Sequence, residues 1–386
     1  MTASNAVNRP AASRRAAFVG HDIYREAAYG RLHPLAIPRV ESVIDLCRAL
    51  GWFDAGEYVA SPRACVADLE AWHCPAYVAA LQRASREGAV DHATRERYRI
   101  GTMENPLFPG LFERASTAVG GSIRAAELAL EGRVAFNPAG GTHHGRRAQA
   151  AGFCYFNDPV FAILRLLAGG ATPVLYVDLD AHHGDGVQEA FVADARVHTV
   201  SIHEAQRWPY TGALDDTGGG RALNLPVPRG FHDAELALLL DDVVLPLAER
   251  IGPEAVVITC GADALAGDPL TGMALSNVAL WHAVERLIAS APHAVVLGGG
   301  GYNPWTLARY WTGIWGHISG REVPPELPEG SRALLRGLTC DLVDDDEVDP
   351  RWMTTLADPP GTAPVRDAVR ELRDRAARRA AARVAA

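Results

Sequence analysis

A run of apolar residues that stops at five ionisable side chains within eight positions constrains this chain more than anything else in it. Leu175-Tyr176-Val177 reads as a buried strand, and Asp178, Asp180, His182, His183 and Asp185 follow it. A buried strand end crowded with carboxylates and imidazoles is costly unless the charges neutralise one another or hold a cation. Alternation along an extended chain would put Asp178, Asp180 and His182 on one face. Two carboxylates and an imidazole suit a divalent first-row metal such as zinc, and iron, cobalt or manganese accept the same donors. A lone D-x-D is more often a loop cap, but the His-His-Gly-Asp-Gly that follows adds further ligand and orienting groups and favours a metal.

Similar apolar runs recur at Ala17 to Gly20, Val134 to Asn137, Val174 to Asp180, Val197 to Ile202, Ala255 to Cys260 and Ala294 to Leu297. Helical patterns lie between them at Arg39 to Leu50, Asp158 to Leu167, Asp233 to Arg250 and Ser276 to Ser290. Strands alternating with helices predict one doubly wound α/β domain, a central parallel sheet covered by helices on both faces. Its expected limits are 17–322, with a flexible 1–16 before it. A C-terminal appendage, 323–386, begins at the Pro-rich Val323 to Glu329 and ends in an Ala/Arg-rich helix from Val365. Several strands run into polar or glycine-rich loops, which in an open parallel sheet gather at the carboxyl edge, where ligands bind.

The 386 residues are 48 % hydrophobic with a net charge of −9, which describes a globular protein and argues against a nucleic-acid surface. No apolar run reaches membrane-spanning length and no secretory signal is evident, so a cytoplasmic protein with reduced thiols is expected. Cys47, Cys65, Cys74, Cys154, Cys260 and Cys340 form no CxxC pair.

A further metal ligand should come from another loop, and Gly261 to Leu270 supplies two carboxylates. Asp268 is the choice here, since Gly267 lets the backbone approach and Pro269 stiffens the turn. The tandem His143-His144 after Gly140-Gly141 looks like acid/base equipment for a metal-bound water. Tyr302, behind four glycines, can donate to a developing oxyanion. That glycine run lacks the Lys-Ser/Thr ending of a phosphate loop.

The ordered set N-P-A-G-G-T-H-H-G, G-F-C-Y-F-N-D, Y-V-D-L-D-A-H-H-G-D-G, V-S-I-H, G-A-D-x-L-A-G-D-P-L and G-G-G-G-Y-N resembles the zinc-dependent histone deacetylase family, with its acetylpolyamine amidohydrolase and acetoin-utilisation relatives. His33-Pro34 and Arg39 resemble the family's early loop. The resemblance implies zinc on Asp180, His182 and Asp268, His143 paired with Asp178, His144 paired with Asp185, and Tyr302 completing carbonyl polarisation. It also implies a potassium ion at Asp178, Asp180, His182, Ser201 and the backbone of Ile202. Phe153 and Trp208, with Gly152 alongside, would wall a narrow tunnel; Leu275 would sit at its rim and Glu104 where relatives grip the substrate backbone.

These expectations converge on hydrolysis of an acylated amine, acyl-lysine or a small acyl-amine, with zinc or iron(II). Nucleic acid and membrane are not expected as partners, and oligomeric assembly is left open. A binuclear manganese ureohydrolase would need a second closely spaced aspartate pair, whereas Asp263 and Asp268 lie apart. A silent acyl-amine binder would have no need of the acid/base pair.

Overall fold

The computed structural model describes residues 14–26, 28–30 and 33–383. Of the expected N-terminal segment, positions 1–13 fall outside the described residues. Eight parallel strands form one sheet: β1 (Ala16–Gly20), β2 (Tyr58–Ala60), β3 (Val134–Asn137), β4 (Val174–Asp178), β5 (Val197–Glu204), β6 (Ala222–Val227), β7 (Ala255–Thr259) and β8 (His293–Leu297). Their order is β2-β1-β3-β8-β7-β4-β5-β6. From β4 the chain runs outward through β5 and β6, then returns to β7 on the other side, so a topological switch point lies between β4 and its two neighbours.

Both faces of the sheet are covered, which is why its strands are apolar at successive positions. Leu175, Val177, Val256 and Ile258 join one apolar cluster with the helices Val40–Ala49, Asn277–Ile288 and Pro304–Ser319. Val174, Tyr176, Ala255 and Val257 point the other way, against Leu111–Leu130 and Asp158–Ala168.

Two strands and several helices escaped the sequence reading. β2 is a three-residue edge strand, too short to carry a pattern. The 20-residue helix Leu111–Leu130 is hidden by Gly120-Gly121, which reads as a breaker. Those glycines are there for packing: a Cβ on Gly120 would lie 2.1 Å from the Pro62 carbonyl oxygen, and one on Gly121 2.6 Å from Ser61 Oγ. The expected helix Asp233 to Arg250 is divided into Asp233–Leu239, a π-helical turn Leu240–Val244, and Leu245–Ile251. Pro246 lacks an N–H for the α-helical ladder, and a widened turn just before it relieves the clash with the preceding carbonyl.

The C-terminal stretch packs back on the fold. Leu327, Leu335, Leu356, Val369 and Leu372 are buried in the same cluster as one face of the sheet. No described helix is long and apolar enough to cross a membrane, and all six cysteines are unpaired.

Candidate metal centre and active site

β4 ends at Asp178, two residues sooner than the alternation argument assumed. The chain then turns twice: Asp178 Oδ1 accepts the Asp180 N–H at 3.1 Å, and Asp180 Oδ1 accepts the His182 N–H at 2.9 Å. These turns, rather than an extended strand, bring Asp180 and His182 together. Asp178 stays with the sheet, its carboxylate bonded to the Tyr176 phenol at 2.7 Å.

The partner of Asp180 and His182 is Asp263, which corrects the choice of Asp268. Ligand atoms of Asp180, His182 and Asp263 all lie within 4.8 Å of one another. His182 Nδ1 is 2.9 Å from Asp263 Oδ2 and 3.2 Å from Asp180 Oδ1. Asp263 sits in the short turn Ala262–Ala264 directly after β7, the neighbour of β4, and its Oδ1 accepts the Ala181 N–H at 3.1 Å. Asp268 lies beyond that turn. Its carboxylate accepts the N–H groups of Leu270 at 2.9 Å and Tyr302 at 2.8 Å, making it a backbone anchor. The missed signal was the one that opened the argument, a carboxylate crowded against a strand end.

The donor set fits a divalent cation. Asp180 and Asp263 are buried, and among the described residues no arginine pairs with them; the chain has no lysine at all. Burial and the charge of Asp180 push the Asp263 carboxyl up. Burial alone would lower His182, but the two carboxylates outweigh it and push the imidazole up to about 10. A doubly charged ion would relieve this crowding of like charges. Glycines let the loops close on the ligand atoms: a Cβ on Gly261 would lie 2.2 Å from Asp180 Oδ2, and one on Gly300 2.1 Å from Asp263 Oδ2.

The tandem histidines follow β3, with ring centroids 3.9 Å apart. His143 Nδ1 is 2.7 Å from Asp178 Oδ2, and His144 Nδ1 is 2.8 Å from Asp185 Oδ1. Burial alone would lower His143, yet Asp178 and Asp180 prevail and push it up to about 9. His144 is pushed down to about 3 by burial and by the charge of His143, against the opposing pull of Asp185. The other Asp185 oxygen is held by Arg146, which sequence reasoning missed. It also missed the supports of this loop. Asp158 accepts the N–H groups of Gly141 at 3.1 Å and Thr142 at 2.7 Å, while Asn157 Nδ2 donates to the carbonyls of His143 at 3.1 Å and Gly145 at 2.9 Å.

Aromatic rings surround the opening. Phe153 meets Tyr302 edge-on at 6.1 Å, and Trp208 lies edge-on to His144 at 4.6 Å and to His182 at 6.2 Å. Gly152 and Phe153 both adopt positive φ, at 53° and 66°. A Cβ on Gly152 would lie 2.4 Å from Trp208, so only glycine fits there. Glu104 accepts the Gly152 N–H at 2.9 Å and thereby holds this turn. Ser201 pairs with Asp178 across β4 and β5, and both Ser201 and Ile202 are buried. Leu275 is not at a rim: it is 1 % exposed, bridged to Leu265 in the core, because it leads straight into the Ser276 cap of the helix Asn277–Ile288. The half-exposed residues of that loop are Pro269, Leu270, Thr271 and Gly272.

Comparison with known proteins agrees with this geometry. The histone deacetylase domain family matches residues 33–318. The acetoin utilization protein AcuC of Bacillus subtilis is 33 % identical over 332 residues, covering 81 % of this chain and 85 % of that protein. Histone deacetylase 8 of Xenopus laevis is 35 % identical over 270 residues, covering 68 % of this chain and 82 % of that one. The crystal structure of a histone deacetylase homologue from Aquifex aeolicus superposes with a TM-score of 0.89 at 38 % identity, covering 94 % of this chain and all of that one.

Proposed function

Since the chain belongs to the histone deacetylase family, we propose that it removes an acyl group, acetyl first, from an acylated amine of the acyl-lysine type, with zinc as its metal. The observation that carries this reading is the Asp180–His182–Asp263 group, with both carboxylates buried, beside two carboxylate-paired histidines and a tyrosine. Zinc held by those three side chains would supply the Lewis acid that polarises the amide carbonyl and acidifies water. Iron(II) suits the same donors. The potassium ion expected at Asp178, Asp180, His182, Ser201 and Ile202 belongs to the proposal, supported by the pairing of Asp178 with Ser201.

The protein's own groups do the rest. His144, neutral and oriented by Asp185, accepts the proton of the attacking water and returns it to the departing amine. His143, cationic beside Asp178, and the Tyr302 hydroxyl stabilise the negative charge that develops on the former carbonyl oxygen. Phe153 and Trp208 exclude water from an alkyl stem. Phe153 also lines a cavity of about 110 Å³, with Tyr24, Arg39 and Thr142, that suits a small carboxylate product. The chain carries no lysine, so any acyl-lysine it hydrolyses lies on another molecule.

A second reading, a small acylated amine such as an acylpolyamine, is favoured by Glu104, one of whose carboxylate oxygens is already taken up by the Gly152 N–H. The test is kcat/KM on acetyl-lysine peptides and acetylated polyamines with zinc-loaded protein. A preference of tenfold or more for peptides supports the first reading and the reverse supports the second; no turnover of either at full zinc occupancy rejects both.

A further inference from the structure

Tyr302 owes its position to a clamp made outside the reaction site. Its N–H donates to Asp268 Oδ2 at 2.8 Å, and the Cys340 thiol donates to its carbonyl at 3.6 Å. The next residue, Asn303, donates from Nδ2 to the Gly267 carbonyl at 2.9 Å while its Oδ1 accepts the N–H groups of Trp305 at 3.1 Å and Thr306 at 3.3 Å. Tyr302 is therefore suspended between the Gly267-Asp268 turn and the start of the helix Pro304–Ser319. Gly267 has φ +88°, and a Cβ there would lie 2.8 Å from the Trp352 ring. Trp352 also stacks on Trp305 with centroids 6.3 Å apart and planes 23° from parallel. It borders both arms of the clamp.

The turn that carries Trp352, Pro350–Met353, is itself pinned. The Leu327 N–H donates to the Thr354 carbonyl at 2.8 Å, and the buried Arg309 donates from Nε to the Thr355 carbonyl at 2.7 Å. Arg309 also pairs with Asp358 at 2.7 Å, and it belongs to the same helix whose first turn follows Tyr302. The half-buried Trp352 ring lies between the Gly267 backbone and the Trp305 ring and so sets the spacing of the two.

We infer that Trp352 is a positioning residue for the Tyr302 hydroxyl, so that the C-terminal segment sets the rate of hydrolysis at a distance. This rests on the deacylase reading through Tyr302. Trp352→Ala leaves a gap beside Gly267 and frees the turn that holds the Tyr302 N–H. Displacing a reacting group by about 1 Å costs up to roughly a hundredfold in rate.

The experiment is a double-mutant cycle of Trp352→Ala with Tyr302→Phe in the full-length, zinc-loaded protein, with hydrogen exchange of the Gly298–Asn303 segment measured alongside. Trp352→Ala should lower kcat roughly ten- to a hundredfold at unchanged KM and zinc content and speed exchange in that segment. Trp352→Phe should restore both. In the Tyr302→Phe background, Trp352→Ala should have no further effect on kcat. An equal fall in kcat in both backgrounds, or exchange unchanged by Trp352→Ala, overturns the inference. Wild-type protein that binds zinc but hydrolyses no acyl amide would reject the deacylase reading, and the exchange measurement would still decide whether Trp352 holds the tyrosine loop.

Discussion

Asp263 and Asp268 share one loop and one side-chain chemistry, but their surroundings divide them. Asp263 faces Asp180 and His182, whereas Asp268 accepts two backbone N–H groups. Burial and the charge of Asp263 push Asp268 up to about 7, as expected for a carboxyl that lacks a cation of its own. Asp263→Asn should lose stoichiometric zinc on dialysis, while Asp268→Asn should keep it and lose rate; metal analysis showing the opposite would restore Asp268 as ligand. Tyr302→Phe should cost roughly a hundred- to a thousandfold in kcat at unchanged zinc, which steady-state kinetics will read. The histidines should differ as their environments do. His144→Ala removes the group that is neutral and able to accept a proton, so hydrolysis should nearly vanish. His143→Ala removes a cation, so measurable turnover with a displaced pH profile should remain. If the profiles of kcat/KM at matched zinc rank the two variants the other way, the roles are reversed.

At the scale of elements, Arg366, which leads into the C-terminal helix Asp367–Arg383, pairs with the buried Glu235 of the helix Asp233–Leu239. Glu235 accepts the Arg366 backbone N–H at 3.0 Å and its guanidinium at 2.7 and 2.6 Å. Burial alone would raise Glu235, but Arg366 holds it below the usual glutamate range. A carboxylate with a lowered value in the folded state stabilises the fold fully above its unfolded value near 4.5, and that contribution is lost as pH falls through the folded value. Glu235→Gln should therefore cost about 1–3 kcal/mol at neutral pH, the partly exposed arginine keeping the figure modest, and should flatten the loss of stability below pH 4.5. Urea melts at a series of pH values check this; an unchanged midpoint at pH 7 would show that the pair contributes nothing.

Across the whole molecule the C-terminal residues and one face of the sheet bury their apolar side chains together. We propose that 17–322 and 323–386 form one cooperative unit despite the boundary that the Pro-rich Val323 to Glu329 suggests in sequence. Removing a buried leucine side chain costs about 2–5 kcal/mol, and Leu327, Leu335, Leu356 and Leu372 would all be lost on truncation after residue 322. That sum rivals the roughly 5–15 kcal/mol by which a domain is stable. The truncated chain should fail to show a cooperative thermal transition by circular dichroism. A truncated protein that melts cooperatively and still binds zinc would make the C-terminal stretch a true appendage.

The local sequence was sufficient for whatever depends on the chain near a residue. Apolar runs ending in polar loops implied a parallel α/β sheet with its ligands at one edge, because strand burial and connection length are properties of the segment itself. Asp180 and His182 were legible for the same reason, as they are joined by two local turns. The third member of that group was not, since it depends on which carboxylate a separate loop presents after β7, and the backbone at Gly267 carries Asp268 elsewhere. Leu275 was misplaced because an apolar residue before a helix cap looks the same in sequence whether it lines a rim or fills a core. Trp352 carried no motif at all, and its role arises from packing between Gly267 and Trp305, residues brought together only by the folded chain.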